Sequence, residues 1–343
     1  MKPIRSHPYF FLLITLVLAV FLSIGVGSVA VSLGDMLRIL TSHLPGISLP
    51  ATWPAAYETI VIKLRLPRTV LMMITGAALA GSGTAYQGLF RNPLADPYLI
   101  GVASGAGLGA VLAMSIQTTH SALRLFAIPV AALLGGLLTV VAVYFLARQG
   151  NTLPTTNLIL AGVAASSFAT ALTSYLMLRS SGELRRALGW LLGGATMSGW
   201  DPVLAALPYL VVGLGILLTM GYRLNVLQFG DEQASQLRLP VERVRTLVIF
   251  ASSLAAAAAV SFAGIIGFVG LIVPHVIRLI WGGDYRLLLP LSMIGGAAFL
   301  LGADVLARVI ISPQVLPVGI ITALFGAPFF LWLLRRSKLL NFW

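Results

Sequence analysis

The residues of this chain that could make or break bonds are few. There is no cysteine, which removes disulfides, thiolate metal sites and cysteine nucleophiles. The four histidines (His7, His43, His120 and His275) lack metal-ligand spacing. Ten acidic residues are dispersed along the chain, without paired carboxylates or a Ser/His/Asp constellation. The stretch GVASGAGLGA, Gly101–Ala110, superficially matches a dinucleotide fingerprint. Such a fingerprint must follow a strand and open a helix. This one lies inside an apolar run, where small residues serve close helix packing. No GxxxxGK[ST] phosphate loop occurs, so any ATP-driven work falls to another chain.

The remaining polar residues form four groups. Arg65-Leu66-Pro67-Arg68 precedes an apolar run. Its arginines either anchor a helix end at the interface or meet a partner with acidic groups. Arg91-Asn92-Pro93-Leu94-Ala95-Asp96-Pro97 is a compact turn, because each proline disfavours helix at the residue before it. Irregular backbone at membrane depth is tolerated only inside protein or along a cavity, so the turn is either a plain loop or a constriction at the inner mouth. Asp304 and Arg308 stand four apart within an apolar run, a spacing that permits a local ion pair. Charges within a span face the bundle interior. His275, after Pro274, reads as a packed structural histidine rather than the alternative, a proton relay. Finally, Gly230-Asp231-Glu232-Gln233-Ala234 leads into Leu237-Arg238-Leu239-Pro240, with apolar Val226, Leu227, Phe229 and Val241 interleaved. That pattern suits short amphipathic helices pressed against a partner; a solvated loop is the other reading.

The elements that position these groups follow from composition. The chain is 58 % hydrophobic and 9 % charged, whereas soluble domains carry about 25 % charge. Lipid must be the solvent for most of it. A span needs roughly 20 apolar residues, and ten windows qualify, near 9–31, 69–90, 98–116, 124–147, 157–178, 203–222, 246–263, 265–281, 287–311 and 317–334. The run 246–281 is too long for one span and is broken at Gly264, Gly267 and Gly270. The expected fold is an all-α polytopic membrane protein, with residues 1–343 as one transmembrane domain of about ten helices. Gly101, Gly105 and Gly109 make one close-packing face.

The run from Tyr9 to Val31 exceeds a signal-peptide core and reads as a first membrane helix. Lys2 and Arg5 place the N-terminus in the cytoplasm. Ten spans return the C-terminus there, with Arg335, Arg336 and Lys338. Arg91, Arg148, Arg223, Arg238, Arg243, Arg245 and Arg286 fall on the same side. Arg38, Lys63, Arg65, Arg68, Arg179, Arg185 and Arg186 fall outside, so the bias is modest. The net charge of +12 thus belongs to membrane orientation. Nucleic-acid binding is not expected, since no basic block or aromatic interleaving accompanies it. Two loops are long: 32–66 outside and 223–245 inside. The stretch Arg186 to Met197 lies at the outer surface or re-enters.

Taken in order, these motifs resemble the FecCD-type permeases of bacterial ATP-binding-cassette importers, which carry iron-siderophores, haem and vitamin B12. The matching pieces are RLPR at 65–68, GAALAGSG at 76–83, RNPLADP at 91–97, LIGVASGAGLGA at 99–110, LILAGVA at 158–164, GWLLGG at 189–194, GDEQA at 230–234, GFVGLIVPHVIRLIWGGDYRLLLP at 267–290, GADVLAR at 302–308 and LPVGIITALFGAPFFLWLL at 316–334. The resemblance implies ten helices per subunit in the bacterial inner membrane. It implies a second permease copy around one pathway, two cytoplasmic ATPases that bind the ATP, and a periplasmic substrate-binding protein. The permease itself is then neither an enzyme nor a holder of cofactor or metal. It also implies that Arg65, Arg68 and Arg308 meet acidic residues of the binding protein. Asn92 and Leu94, with Thr155 and Thr156, match cytoplasmic gate elements. The 226–241 loop, with Leu227, Phe229, Gly230, Asp231, Glu232, Ala234, Leu237 and Arg238, matches the coupling helices. A homodimer is expected, and iron compounds are the commoner cargo of the family. Two positions depart from the pattern: Arg238 stands where the family often has Gly, and Val315 where it often has Glu. A different class, the ion-coupled secondary transporter, needs a charged site near the midplane, for which Asp304 is the fair candidate.

Overall fold

The computed structural model describes residues 7–27, 29–43, 45, 50, 52–116, 121–179, 184–194 and 197–340. Lys2, Arg5 and His120 lie outside them, as do the side chains of Arg336 and Lys338. The helices in chain order are α1 (Pro8–Gly25), α2 (Leu33–Ser42), α3 (Ala55–Glu58), a π-helical segment (Thr59–Arg65), α4 (Leu66–Phe90), α5 (Val102–Ser115), α6 (Ser121–Ala147), α7 (Thr155–Arg179) and α8 (Leu184–Leu191). They continue with α9 (Asp201–Leu218), α10 (Gly221–Leu227), α11 (Asp231–Gln236), α12 (Val241–Ala263), α13 (Val269–Trp281), α14 (Tyr285–Val309) and α15 (Val318–Leu340). The ten predicted spans correspond to α1, α4, α5, α6, α7, α9, α12, α13, α14 and α15. The molecule is a multi-pass membrane protein.

Six of these helices are long and apolar enough to cross a membrane by length and composition alone. The others show how burial replaces hydropathy. Helix α4 has 25 residues, but Gly, Ser and Thr dilute its apolar character, and it is buried along most of its length from Pro67 to Leu89. In contrast, only 11 % of α1's apolar window is buried, against 78 % for α12 and 72 % for α14. Lipid-facing helices must be apolar all round, while central helices need small surfaces that let neighbours approach. Helices α5 and α13 are roughly 20 Å long, short of the bilayer's about 30 Å. The irregular segments 91–101 and 264–268 extend them.

Small residues set the closest helix contacts. A Cβ placed on Gly76 of α4 would lie 2.3 Å from the Gly296 carbonyl oxygen of α14. On α5, a Cβ at Gly105 would lie 2.5 Å from the Gly135 oxygen, and one at Gly109 would lie 2.0 Å from the Ala131 oxygen, both on α6. The predicted glycine face is therefore used at Gly105 and Gly109. Gly101 instead caps the helix N-terminus at φ 87°. Replacing Gly76 by alanine must push α4 from α14, at an overpacking cost of about 1–3 kcal/mol; a lowered melting temperature in detergent checks this.

Several boundaries differ from the sequence reading. The first span ends at Gly25 rather than 31, and the outer 32–66 segment is largely helical. The RLPR motif is thus not a loop. Pro67 sits in the first turn of α4, where its missing N–H is no loss. The inner 223–245 segment is mostly α10, α11 and the first turn of α12. Of the stretch Arg186 to Met197, residues 186–194 re-enter the bundle: Trp190 is fully buried, and the Val318 N–H donates to the Gly193 carbonyl at 3.1 Å. The expected break in 246–281 falls at Gly264, φ 77°.

Candidate functional site

Helix α4 is about 37 Å long and carries one polar cluster at each end. At its N-terminal end the arginines complete the C-terminus of α1. The last carbonyls of a helix have no intrahelical donor. Here the Val26 N–H donates to the Leu22 oxygen at 2.9 Å, and Arg308 Nη2 donates to the Ser23 oxygen at 3.0 Å. Arg65 Nη1 donates to the Ile24 and Gly25 oxygens, each at 2.9 Å, and its Nη2 donates to the Val29 oxygen. Arg308 Nη1 also reaches the Val26 oxygen at 2.7 Å. Two cations at a helix C-terminus also complement its dipole.

The fully buried Asp304 balances this charge. Arg68 donates to its Oδ1 from Nε at 3.0 Å and from Nη2 at 2.8 Å, and Arg308 Nε lies 3.0 Å from its Oδ2. The local Asp304–Arg308 pair expected from spacing is present, and Arg68 joins it. The three arginines that the resemblance sets against an acidic partner differ in exposure. Arg65 and Arg308 are 8 % and 9 % exposed, with guanidiniums committed to carbonyls. Arg68 retains 29 % exposure. It lines a cleft of about 310 Å³ with Arg65, Arg308, Met197, Ser198 and Val315. Val315, where the family often has Glu, is half exposed there.

At the other end, α4 closes with Arg91 at φ 50°. The Asn92 N–H donates to the Gln87 oxygen at 3.1 Å, a Schellman-type ending. Asn92 is exposed, and its Oδ1 accepts the Leu94 N–H at 2.9 Å, which turns the chain. Leu94 and Pro93 close on a crevice lined by His275, Phe329, Phe330 and Leu333. His275 packs edge-on to Phe329 at 6.2 Å, and neither ring nitrogen has a partner among the described residues; it is a packed histidine. Thr155 and Thr156 open α7, the first half-buried and the second exposed. Helix α7 packs on the 91–101 segment, since a Cβ at Gly162 would lie 2.2 Å from the Leu99 oxygen. No side-chain hydrogen bond joins Asn92 or Leu94 to Thr155 or Thr156 among the described residues.

The 226–241 segment lies at this same end. Gln228 Nε2 donates to the Gly88 oxygen at 2.8 Å, and Asn225 Nδ2 to Asp284 at 2.6 Å. Arg286 and Asn225 hold the Asp284 carboxyl well below the usual carboxylate range. Leu227 and Ala234 are buried and root the segment, whereas Phe229 and Leu237 are 69 % and 64 % exposed. Gly230 takes φ 105°, a turn only glycine makes cheaply, and Asp231 and Glu232 begin α11 where acids suit the dipole. Helix α11 ends with the Arg238 N–H on the Ser235 oxygen at 2.9 Å and the Leu239 N–H on the Ala234 oxygen at 3.0 Å. Arg238 therefore sits at φ 58°, which explains why glycine suits this position. Arg238→Gly should stabilise the turn by about 1 kcal/mol, read as roughly fivefold slower hydrogen exchange at the Leu239 amide.

Sequence reading missed two connections. Arg245, counted only for topology, is 4 % exposed and bonds to Asp231 and Glu242, each at 2.8 Å. An arginine one turn inside an apolar helix, three residues after Glu242, was the available signal. The Arg68–Asp304 pair joins residues 236 apart and left no trace in local spacing.

The chain is a helical bundle with small-residue cores, a broken-helix turn at one end and an exposed short helix beside it, the build of a membrane permease. The profile of the FecCD transport family matches residues 15–336, and the chain belongs to that family. It is 44 % identical over 324 residues to the Cobalamin import system permease protein BtuC of Halobacterium salinarum, covering 90 % of this chain and 86 % of that one. It is 38 % identical over 335 residues to the Hemin transport system permease protein HmuU of Yersinia pestis, covering 96 % and 95 %. A solved inward-facing structure of an ABC transporter assigned to the metal-chelate type superposes with a TM-score of 0.81 at 32 % identity, covering 96 % of this chain and 99 % of that one.

Proposed function

We propose that this chain is the transmembrane subunit of an ATP-binding-cassette importer that moves a metal chelate or corrinoid inward by alternating access. Two copies enclose the pathway in the bacterial inner membrane, with both termini cytoplasmic. Two ATPase subunits bind beneath, and a periplasmic binding protein docks above. The observation that carries this reading is α11: a six-residue helix flanked by exposed Phe229 and Leu237 and ion-paired back to the bundle. Two large apolar side chains flanking a short polar helix fit a partner surface better than water, and an ATP-driven permease without its own phosphate loop takes its motor from another chain. Asn92 and Leu94, with Thr155 and Thr156, form the inner gate; Arg68 meets the binding protein.

The test is co-expression with a candidate ATPase subunit from the same genome, followed by purification on a tag carried by the permease. Stoichiometric recovery of the ATPase is expected, and crosslinking the two copies at position 156 should stop uptake. A permease that never retains the ATPase defeats the reading. The secondary-transporter alternative gains nothing from Asp304, which is held by two arginines near one end of α14.

A further inference from the structure

We propose that Asp231 and Arg245 are the linkage through which α11 moves both halves of the inner gate. This rests on the importer reading above. The Arg245 guanidinium is buried and touches three segments. Nη1 donates to the Leu153 oxygen at 3.0 Å, two residues before gate residue Thr155. The same nitrogen donates to Glu242 at 2.8 Å, and Nη2 donates to Asp231 Oδ2 at 2.8 Å. Asp231 is the first residue of α11. Its other oxygen lies 3.8 Å from Arg91 Nη2, one residue before gate residue Asn92. The two gate elements make no side-chain hydrogen bond to each other among the described residues, yet each neighbours a cation that faces the same carboxylate.

The asymmetry of the two contacts assigns their roles. On the Arg245 side the bond is short and the cation is buried, with 5 % of its side chain exposed. On the Arg91 side the pair is long, and both groups are 43 % and 49 % exposed. A planar guanidinium holds several acceptors in fixed directions, and charge-assisted bonds resist sliding more than apolar contacts do. A shift of α11 therefore carries Leu153 and the start of α7 with it, while the looser Arg91 contact makes and breaks as the gate turn moves. Coupling needs such a contiguous network with two arrangements. Asp231 and Arg245 are positioning residues in this scheme and touch no cargo.

The experiment uses the full complex with its ATPases in nanodiscs. The chain has no cysteine, so Thr156→Cys gives one spin label per copy, and pulsed electron resonance reads the distance between copies with and without ATP. Wild type, Asp231→Asn, Asp231→Glu and Arg245→Gln are compared for that distance change, for ATPase retention and for uptake per ATP hydrolysed. The linkage predicts that Asp231→Asn and Arg245→Gln retain the ATPases, lose the ATP-driven distance change and fall at least tenfold in uptake per ATP, with Asp231→Glu largely restored. Asp231→Asn is near-isosteric at a half-exposed position, so it stays informative if Arg245→Gln fails to fold. A wild-type distance change and uptake ratio in Asp231→Asn overturns the linkage. So does loss of ATPase binding in that variant, which would make Asp231 a direct ATPase contact. A wild-type chain that retains no ATPase fails the importer reading itself, and the linkage falls with it.

Discussion

Asp304→Ala should cost the folded protein about 3–5 kcal/mol, the usual effect of removing one partner from a buried ion pair. Asp304 is fully buried and faces Arg68 and Arg308. Without it Arg308, 9 % exposed, keeps its carbonyl acceptors but loses its counter-charge, and Arg65 adds a second cation nearby. Proteins of this size are typically stable by only about 5–15 kcal/mol, so a large drop in melting temperature and in recovered protein is expected. Arg68→Ala should do much less, because Arg68 is partly exposed and Arg308 still pairs with the acid. Thermal unfolding of the two variants in the same detergent compares them. Equal melting temperatures for Asp304→Ala and wild type would mean that the Arg68–Asp304–Arg308 network does not hold α1, α4 and α14 together.

The second large effect is on assembly. Changing Phe229 and Leu237 together to alanine should leave the permease folded, since both are exposed and surface changes usually cost within about 0.5 kcal/mol. Its affinity for the ATPase should collapse. Buried anchors in an interface typically contribute about 2 kcal/mol or more each, so the pair should weaken binding about 10²–10³-fold. Titrating labelled ATPase against permease in nanodiscs measures this. The buried Leu227 and Ala234 are unsuitable for the comparison, because changing them disturbs the root of the segment. Wild-type affinity in the double variant would show that α11 is not the docking element.

Much of this architecture was legible because lipid imposes a length and a composition on every span. The Gly264 break and the Gly105 and Gly109 contacts follow from rules that act within a few residues. What remained hidden was set by distant partners. Nothing near Arg65 says that its guanidinium will cap Ile24 and Gly25, so at the edge of a span it could equally anchor the helix end or await a partner. The same holds for Arg68 and Asp304. The inner loop read as short amphipathic helices, but the bounds of α11 stayed open because six residues are too few for a periodic signal, and its ends are fixed by Gly230 and Arg238 at positive φ. Thr155 and Thr156 carry no mark in composition or spacing and entered only through the family pattern.

The central claim is ATP-driven import, and reconstituted transport tests it most directly. The permease and its ATPase are placed in proteoliposomes with external binding protein loaded with haem, ferric siderophore or cobalamin. ATP hydrolysis and cargo accumulation are then followed together. The account predicts that one loaded binding protein stimulates hydrolysis and that its cargo accumulates only with ATP. Accumulation driven by an ion gradient without ATP, with no ATPase bound, would contradict it.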